Sequence, residues 1–310
     1  MTAAAAARAP VPPAAALVVA VLAVSWAGPL VRFTDAPALA VAAWRLIISV
    51  LFIGLVLAVR GTPMPRLSRR DWALAATAGV FLAAHFWSWI ASLDLTTISS
   101  SVVLVSSQPV FVALLSGALL GEAATRRQWL GIAVAVAGAA VIAWGDFGMG
   151  TAALTGDLLA LAGAAFVSVY YVIGRRLRML VDLWWYVGII YGIAAGVLVV
   201  AALAAPGVSL TGYGTRDWMV FAALAAGPMM LGHTAVNYAL RYVRAYVANL
   251  AILGEPIGAT LIAWLLPAIA EVPGPQTLVG GVLILAGIAL TVSRQTRPRG
   301  TAGAVPPDRT

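Results

Sequence analysis

The sequence predicts an all-α polytopic membrane protein of ten transmembrane helices, arranged as two inverted five-helix repeats. Three observations carry that prediction. The 310 residues are 62% hydrophobic and only 10% charged, with a mean hydropathy of +0.98, too few charges to coat a water-soluble surface. The apolar residues fall into stretches long enough to cross a hydrocarbon core of about 30 Å. One stretch near the middle of the chain is echoed near its end.

The ten expected spans are 14–31, 37–59, 72–93, 98–120, 128–145, 155–174, 183–205, 217–239, 245–266 and 276–293. Short polar breaks separate them, as in "RGTPMPRLSRRD", "GEAATRR" and "GRRLRML". Residues 1–13 and 294–310 read as tails, and the second has the polar, Pro-rich composition of a disordered segment. Removing span one as a cleaved leader would leave nine spans and strand the arginines of one end on the wrong side.

Charge sets the direction. There is no lysine, so all 19 basic residues are arginines, and with 11 acids the net charge is +8. Ten spans put both termini on one side. That side then collects sixteen arginines, including Arg60, Arg66, Arg69, Arg70, Arg126, Arg127, Arg175, Arg176 and Arg178, while the opposite loops hold Arg32 and Arg216. The asymmetry places both termini in the cytoplasm of a cell whose inner membrane the chain spans. It accounts for the basic balance without nucleic acid. Trp72, Trp129, Trp184, Trp185 and Trp218 fall at expected water–lipid boundaries, where lipid contact suits them.

The echo joins "LLSGALLGEAATRRQWLGIAVAVAGAAVIAW" to "AWLLPAIAEVPGPQTLVGGVLILAGIALTVS". Glu122, Gly131 and Gly138 recur as Glu271, Gly280 and Gly287, each 149 residues later. The unit is then five spans, 14–145 and 155–293, and an odd number inserts the second copy upside down. Inverted repeats supply two related conformations, each open to one side, which is a design of secondary transporters.

One charge interrupts the apolar pattern of "VANLAILGEPIGATLIAW": Glu255 lies about eleven residues into its span. A carboxylate at that depth costs about 2.5–3.5 kcal/mol on the insertion scale, so it should face the bundle interior or a wet cavity. There it can meet a cationic or zwitterionic substrate, bind an exchanged proton, or tie helices together. His233 and Asn237, four residues apart, share a helix face with Pro228 nearby. Ser25, Trp26, Arg45, His85, Trp89 and Gln108 are the polar or aromatic contributions expected of the first half, and Tyr170 is a deep aromatic of the second. Arg45 either reaches outward or pairs with an acid inside. With two histidines and no cysteine, no metal site or disulfide is expected.

These features together resemble the EamA-type branch of the drug/metabolite transporter superfamily. The resemblance covers about residues 15–293 and rests on Trp26 in "VSWAGPLVRF", Arg45 in "AVAAWRLIIS", Pro109 and Glu122 in "SSQPVFVALLSGALLGE", and "QWLGIAVAVAGAAVIAW". It implies a ten-helix, inverted-repeat carrier that exports small metabolites, amino acids or toxic compounds, and the deep aromatics Trp26, Phe86, Trp89 and Tyr170 favour aromatic or bulky amphiphilic cargo. It implies no cofactor, protons as a candidate coupling partner, and a monomer or weak dimer. Proton-coupled efflux of drugs or organic cations is the alternative, and a passive channel or sensor the rival of another class. Enzyme motifs such as a P-loop or H-E-x-x-H do not occur. One departure stands out: "LGEPIGA" carries Glu255 before its proline, where the first half has neutral Gln108 before Pro109.

Overall fold

The computed structural model describes residues 9–120, 125–147, 149–243, 252 and 254–292. Glu122, the tails 1–8 and 293–310, and residues 244–251 at the start of the expected ninth span therefore lie outside the described residues. The described residues are all helix and loop, and the protein is a polytopic membrane protein.

The helices are α1 (Pro13–Val24), α2 (Ala27–Val31), α3 (Ala38–Arg60), α4 (Arg69–Leu93), α5 (Ile98–Val105), α6 (Gln108–Leu120) and α7 (Arg126–Phe147). They continue with α8 (Thr151–Leu177), α9 (Leu183–Ala204), α10 (Thr215–Leu224), a π-helical segment Ala225–His233, α11 (Thr234–Ala239), α12 (Gly254–Leu265) and α13 (Pro275–Val292). Local chemistry marks the edges. Ser68, Thr97 and Asp182 cap helix starts by accepting from the amides of Asp71, Ser100 and Trp184. Gly61 closes α3 in the left-handed region at φ 57°.

Seven helical stretches among the described residues are long and apolar enough to cross a membrane: Pro13–Val31, Ala38–Arg60, Arg69–Leu93, Trp129–Asp146, Thr151–Leu177, Leu183–Ala204 and Thr215–Ala239. They coincide with expected spans one to three and five to eight. The other three expected spans have a shorter outline. The fourth is split between α5 and α6, the ninth is described mainly from Gly254, and the tenth holds a shorter apolar stretch, Pro275–Leu290.

Proline explains the interruptions. A proline inside a helix clashes with the carbonyl four residues back and removes one amide donor. Counting back four from Pro29 reaches Ser25, where α1 gives way to α2; from Pro109 it reaches Val105, the last residue of α5. Four before Pro228 is Leu224, after which the π segment begins. Three breaks of one origin thus lie in three different spans.

The echoed helices pack on each other. A methyl group added to Gly138 of α7 would stand 2.6 Å from the carbonyl oxygen of Gly280 in α13, and one added to Gly280 would meet the Gly138 oxygen at the same distance. A methyl on Gly287 would stand 2.5 Å from the Gly131 oxygen. Gly131 therefore faces Gly287 while Gly138 faces Gly280, so the two helices run antiparallel at near backbone contact. Ile132, Ala135, Ile142, Ile284 and Ile288 fill the space around the glycines. Replacing Gly280 by Val should destabilise the protein by about 1–3 kcal/mol through overpacking. A lowered unfolding midpoint in detergent checks this, with Gly54→Ala, whose methyl would meet nothing within 4 Å in the interior of α3, as the control that does not lower it.

Candidate functional site

The interruptions converge on one cavity. Its walls come from Val24 and Ala27 on either side of the first break, Val105, Ser106 and Gln108 across the second, and His233 and Val236 at the end of the π segment. His85 and Trp89 of α4, Tyr171 of α8, Ile252 and Glu255 complete it. Ile252 lies four residues before Pro256, so the backbone there is subject to the same clash. The void measures about 30 Å³, room for a water or two and too little for an amino-acid-sized cargo. Its wall must therefore move to admit one.

Glu255 is the one formally charged side chain among the described lining residues. His85 and His233 face each other with ring centroids 6.3 Å apart, and His85 stacks on Trp89 at 6.5 Å. His85 Nδ1 lies 2.9 Å from the Gly163 carbonyl oxygen. A carbonyl only accepts, so Nδ1 carries the proton and Nε2 is left to bind another group. Trp89 Nε1 and Ser106 Oγ are buried in the wall without a hydrogen-bond partner among the described residues. Two unused polar groups beside a carboxylate are what a ligand-binding surface offers in its empty form.

Other sequence candidates sit elsewhere. Arg45 is completely buried one layer behind the wall, its guanidinium 4.2 Å from the centre of the Phe86 ring, which in turn contacts His233 edge-on at 5.2 Å. Arg45 Nη2 reaches only the Met229 sulfur at 3.8 Å, while Nε and Nη1 have no partner among the described residues. Glu255 is within electrostatic reach of Arg45, but no ion pair joins them among the described residues. Ser25 donates to the Val21 carbonyl at 2.8 Å and packs against Gly258 of α12. Trp26, 44% exposed, stands outside the cavity.

Asn237 and Tyr170 belong to a hydrogen-bonded layer beside the cavity. The Tyr170 hydroxyl donates to Asn237 Oδ1 at 2.9 Å, while the two Nδ2 protons of Asn237 go to the His233 carbonyl at 2.9 Å and the Tyr191 hydroxyl at 3.3 Å. Arg178 Nε donates to the Asn237 carbonyl at 3.0 Å. This layer fastens α8 and α9 to α11 and fixes the end of the π segment that presents His233. Sequence reasoning missed Ser106 and Tyr171. Tyr171 is one position past the expected Tyr170, and a one-residue shift on a helix turns a side chain by a quarter circle or more.

The sequence profile of the EamA-like transporter family matches residues 13–144 and 154–293. The chain belongs to that family. An EamA-like transporter is a carrier of small molecules and not an enzyme. The uncharacterized transporter YdfC of Bacillus subtilis (strain 168) is 28% identical over 216 residues, 68% of each chain. A protein named "Probable terminal-alkyne amino-acid exporter" in Streptantibioticus cattleyicolor is 31% identical over 212 residues, 66% of this chain and 67% of the relative. A crystal structure sharing 19% identity superposes with a TM-score of 0.65 over 90% of this chain and 95% of the other, which shows a common fold.

In this EamA-like transporter the Asn237 layer should act on stability. Asn237→Ala removes the acceptor of the buried Tyr170 hydroxyl and one of the two partners of the Tyr191 hydroxyl, and should cost about 1–3 kcal/mol, lowering the unfolding midpoint in detergent. Gln108→Ala, on the cavity wall, should leave that midpoint nearly unchanged.

Proposed function

We propose that this chain is a secondary transporter of the inner membrane, exporting amino-acid-like metabolites by alternating access between two inverted five-helix halves, 14–145 and 155–293. The observation that carries the reading is Glu255, a carboxylate on the wall of a cavity at which proline-broken helices meet. Broken helices around a small polar cavity support a site that binds, closes and reopens. The antiparallel approach of α7 and α13 supports the inversion, because Gly131 meets the counterpart of Gly138 and Gly138 meets the counterpart of Gly131. That reciprocity is the signature of a two-fold relation. The name of the exporter from Streptantibioticus cattleyicolor supports amino acids as cargo.

Glu255 receives the cargo's ammonium group, Trp89 and Tyr171 offer aromatic surface, and Ser106, Gln108, His85 and His233 offer hydrogen bonds. Arg45, buried behind Phe86 with unused N–H groups, holds a positive charge for the cargo's carboxylate once Phe86 moves. A second reading, efflux of organic cations, is favoured by the absence of Arg45 from the wall itself. Exchange of cargo for protons fits either reading, as does the expectation that both termini lie in the cytoplasm.

Counterflow in proteoliposomes tests the proposal. Labelled aromatic amino acid should exchange with the unlabelled form in a saturable way, and Glu255→Gln should cut the rate at least tenfold while the protein still elutes as one species. Wild-type rates for Glu255→Gln would remove the residue from the mechanism. If the decarboxylated amine exchanges as well as the amino acid, the organic-cation reading replaces the first. For orientation, Arg66→Cys should react with an impermeant maleimide only in opened cells, and Ser209→Cys in intact ones.

A further inference from the structure

A second polar cluster lies at the opposite end of the bundle from most arginines, apart from the cavity. Thr96, in the turn between α4 and α5, brings its hydroxyl 3.1 Å from Asp146 Oδ2 near the end of α7 and 3.1 Å from Asp157 Oδ1 in α8. All three residues are buried, Asp157 being 3% exposed. Gly156 makes the approach possible, since a methyl there would stand 2.9 Å from Thr96 Cβ.

The hydrogen-bond inventory of this arrangement decides its protonation. A threonine hydroxyl has one proton to donate, and an ionised carboxylate has none. Thr96 therefore satisfies one aspartate by donating to it and can satisfy the other only by accepting from it. Two ionised aspartates would leave one carboxylate oxygen facing a lone pair at 3.1 Å in a buried site. A second observation points the same way: Asp157 Oδ2 is buried with no hydrogen-bond partner among the described residues, as suits an oxygen of a neutral acid more than one of a carboxylate.

Among the described residues no free cation offers an alternative partner. The Arg32 guanidinium touches the same turn, but its Nη2 donates to the Thr96 carbonyl at 2.8 Å and lies 3.9 Å from Glu271. Glu271 in turn accepts from the amides of Ile98 and Ser99 and from the Ser99 hydroxyl, capping α5. Asp94, just past α4, adds a further acid, which burial pushes up and Arg32 pulls down. Among the charged groups here, Arg32 is thus already engaged and the rest are acids.

We infer that Asp146, Thr96 and Asp157 form a site that holds one proton between two carboxylates, separate from Glu255. The reaction is reversible proton binding: one O–H bond forms on a carboxylate, and its loss returns a proton to water with no other bond changed. Resting on the transporter reading, the site gains a role in coupling, because Thr96 leads into α5, whose far end supplies Val105 to the cavity wall. Releasing the proton would drive the two carboxylates apart and shift the turn that carries α5.

Infrared spectroscopy of purified protein with isotopically labelled aspartate tests the site without any transport assay. At neutral pH the wild type should show the carbonyl stretch of a protonated aspartic acid, in sodium and in choline buffer alike. Asp157→Asn, whose amide N–H can take over the acid's donor role to Thr96, should abolish that band while keeping the unfolding midpoint within a few degrees. A band that persists in Asp157→Asn, or a wild type without one in both buffers, overturns the inference; a band seen only in choline overturns it in favour of a bound sodium ion. Should Asp157→Asn fail to fold, Asp146→Asn is read by the same criterion. Loss of counterflow with the band intact would count against the transporter reading alone.

Discussion

A hydrocarbon solvent offers no hydrogen bonds, so every backbone amide and carbonyl in it has to find a partner within the protein. Regular helices meet that demand by themselves, which is why most of the described residues are helical. Pro29, Pro109 and Pro228 break it locally, each at the position four residues upstream. The freed backbone cannot face lipid and is held at the centre of the bundle. The same requirement that forces these breaks inward gathers them around one cavity, whose wall then contains irregular backbone, unpaired Trp89 Nε1 and Ser106 Oγ, and the carboxylate of Glu255. The position of the site is a consequence of backbone satisfaction.

Around that cavity the buried polar groups fall into two kinds. Asn237, Tyr170, Tyr191 and Arg178 are joined in a layer of hydrogen bonds that ties helices together and leaves the Asn237 amide fully used. Such a layer rigidifies what it touches. Trp89, Ser106 and Arg45 are the opposite case, each buried with a polar atom that has no hydrogen-bond partner among the described residues, and the Glu255 carboxylate lies on the same wall as the first two. The first kind reaches the cavity wall at one point, since Asn237 fastens the backbone of His233.

The α7–α13 seam is built where side chains are absent. Gly131, Gly138, Gly280 and Gly287 let α7 and α13 meet at their backbones, and so give the bundle a tight seam. At one end of that seam Glu271 reaches from the loop before α13 to cap α5, and Thr96 joins Asp146 to Asp157. Polar contacts at this end therefore run between elements distant in the chain. The start of α5 thus adjoins this polar cluster, while its other end supplies Val105 to the cavity wall.

The sequence by itself determined the solvent, the secondary structure and the family. Composition demanded a membrane, and a membrane demands helices; the spans at 14–31 and 37–59 could be placed because apolar length is a local property. The glycine echo was legible because close helix approach tolerates few other residues. Glu255 stood out because a lone charge in an apolar run has a cost that needs a cause. Tertiary structure alone decided which polar residues share a space. His85, Trp89, Gln108, His233 and Glu255 come from four separate spans, and nothing local distinguishes them from Asn237, Tyr170 or Trp26, which face elsewhere. Helix rotation makes that choice through packing over the whole bundle, so it set Tyr171 rather than Tyr170 on the wall. The meeting of Asp146 with Asp157 across Thr96 likewise depends on how α7, α8 and the α4–α5 turn pack, a relation between distant residues that no local pattern encodes.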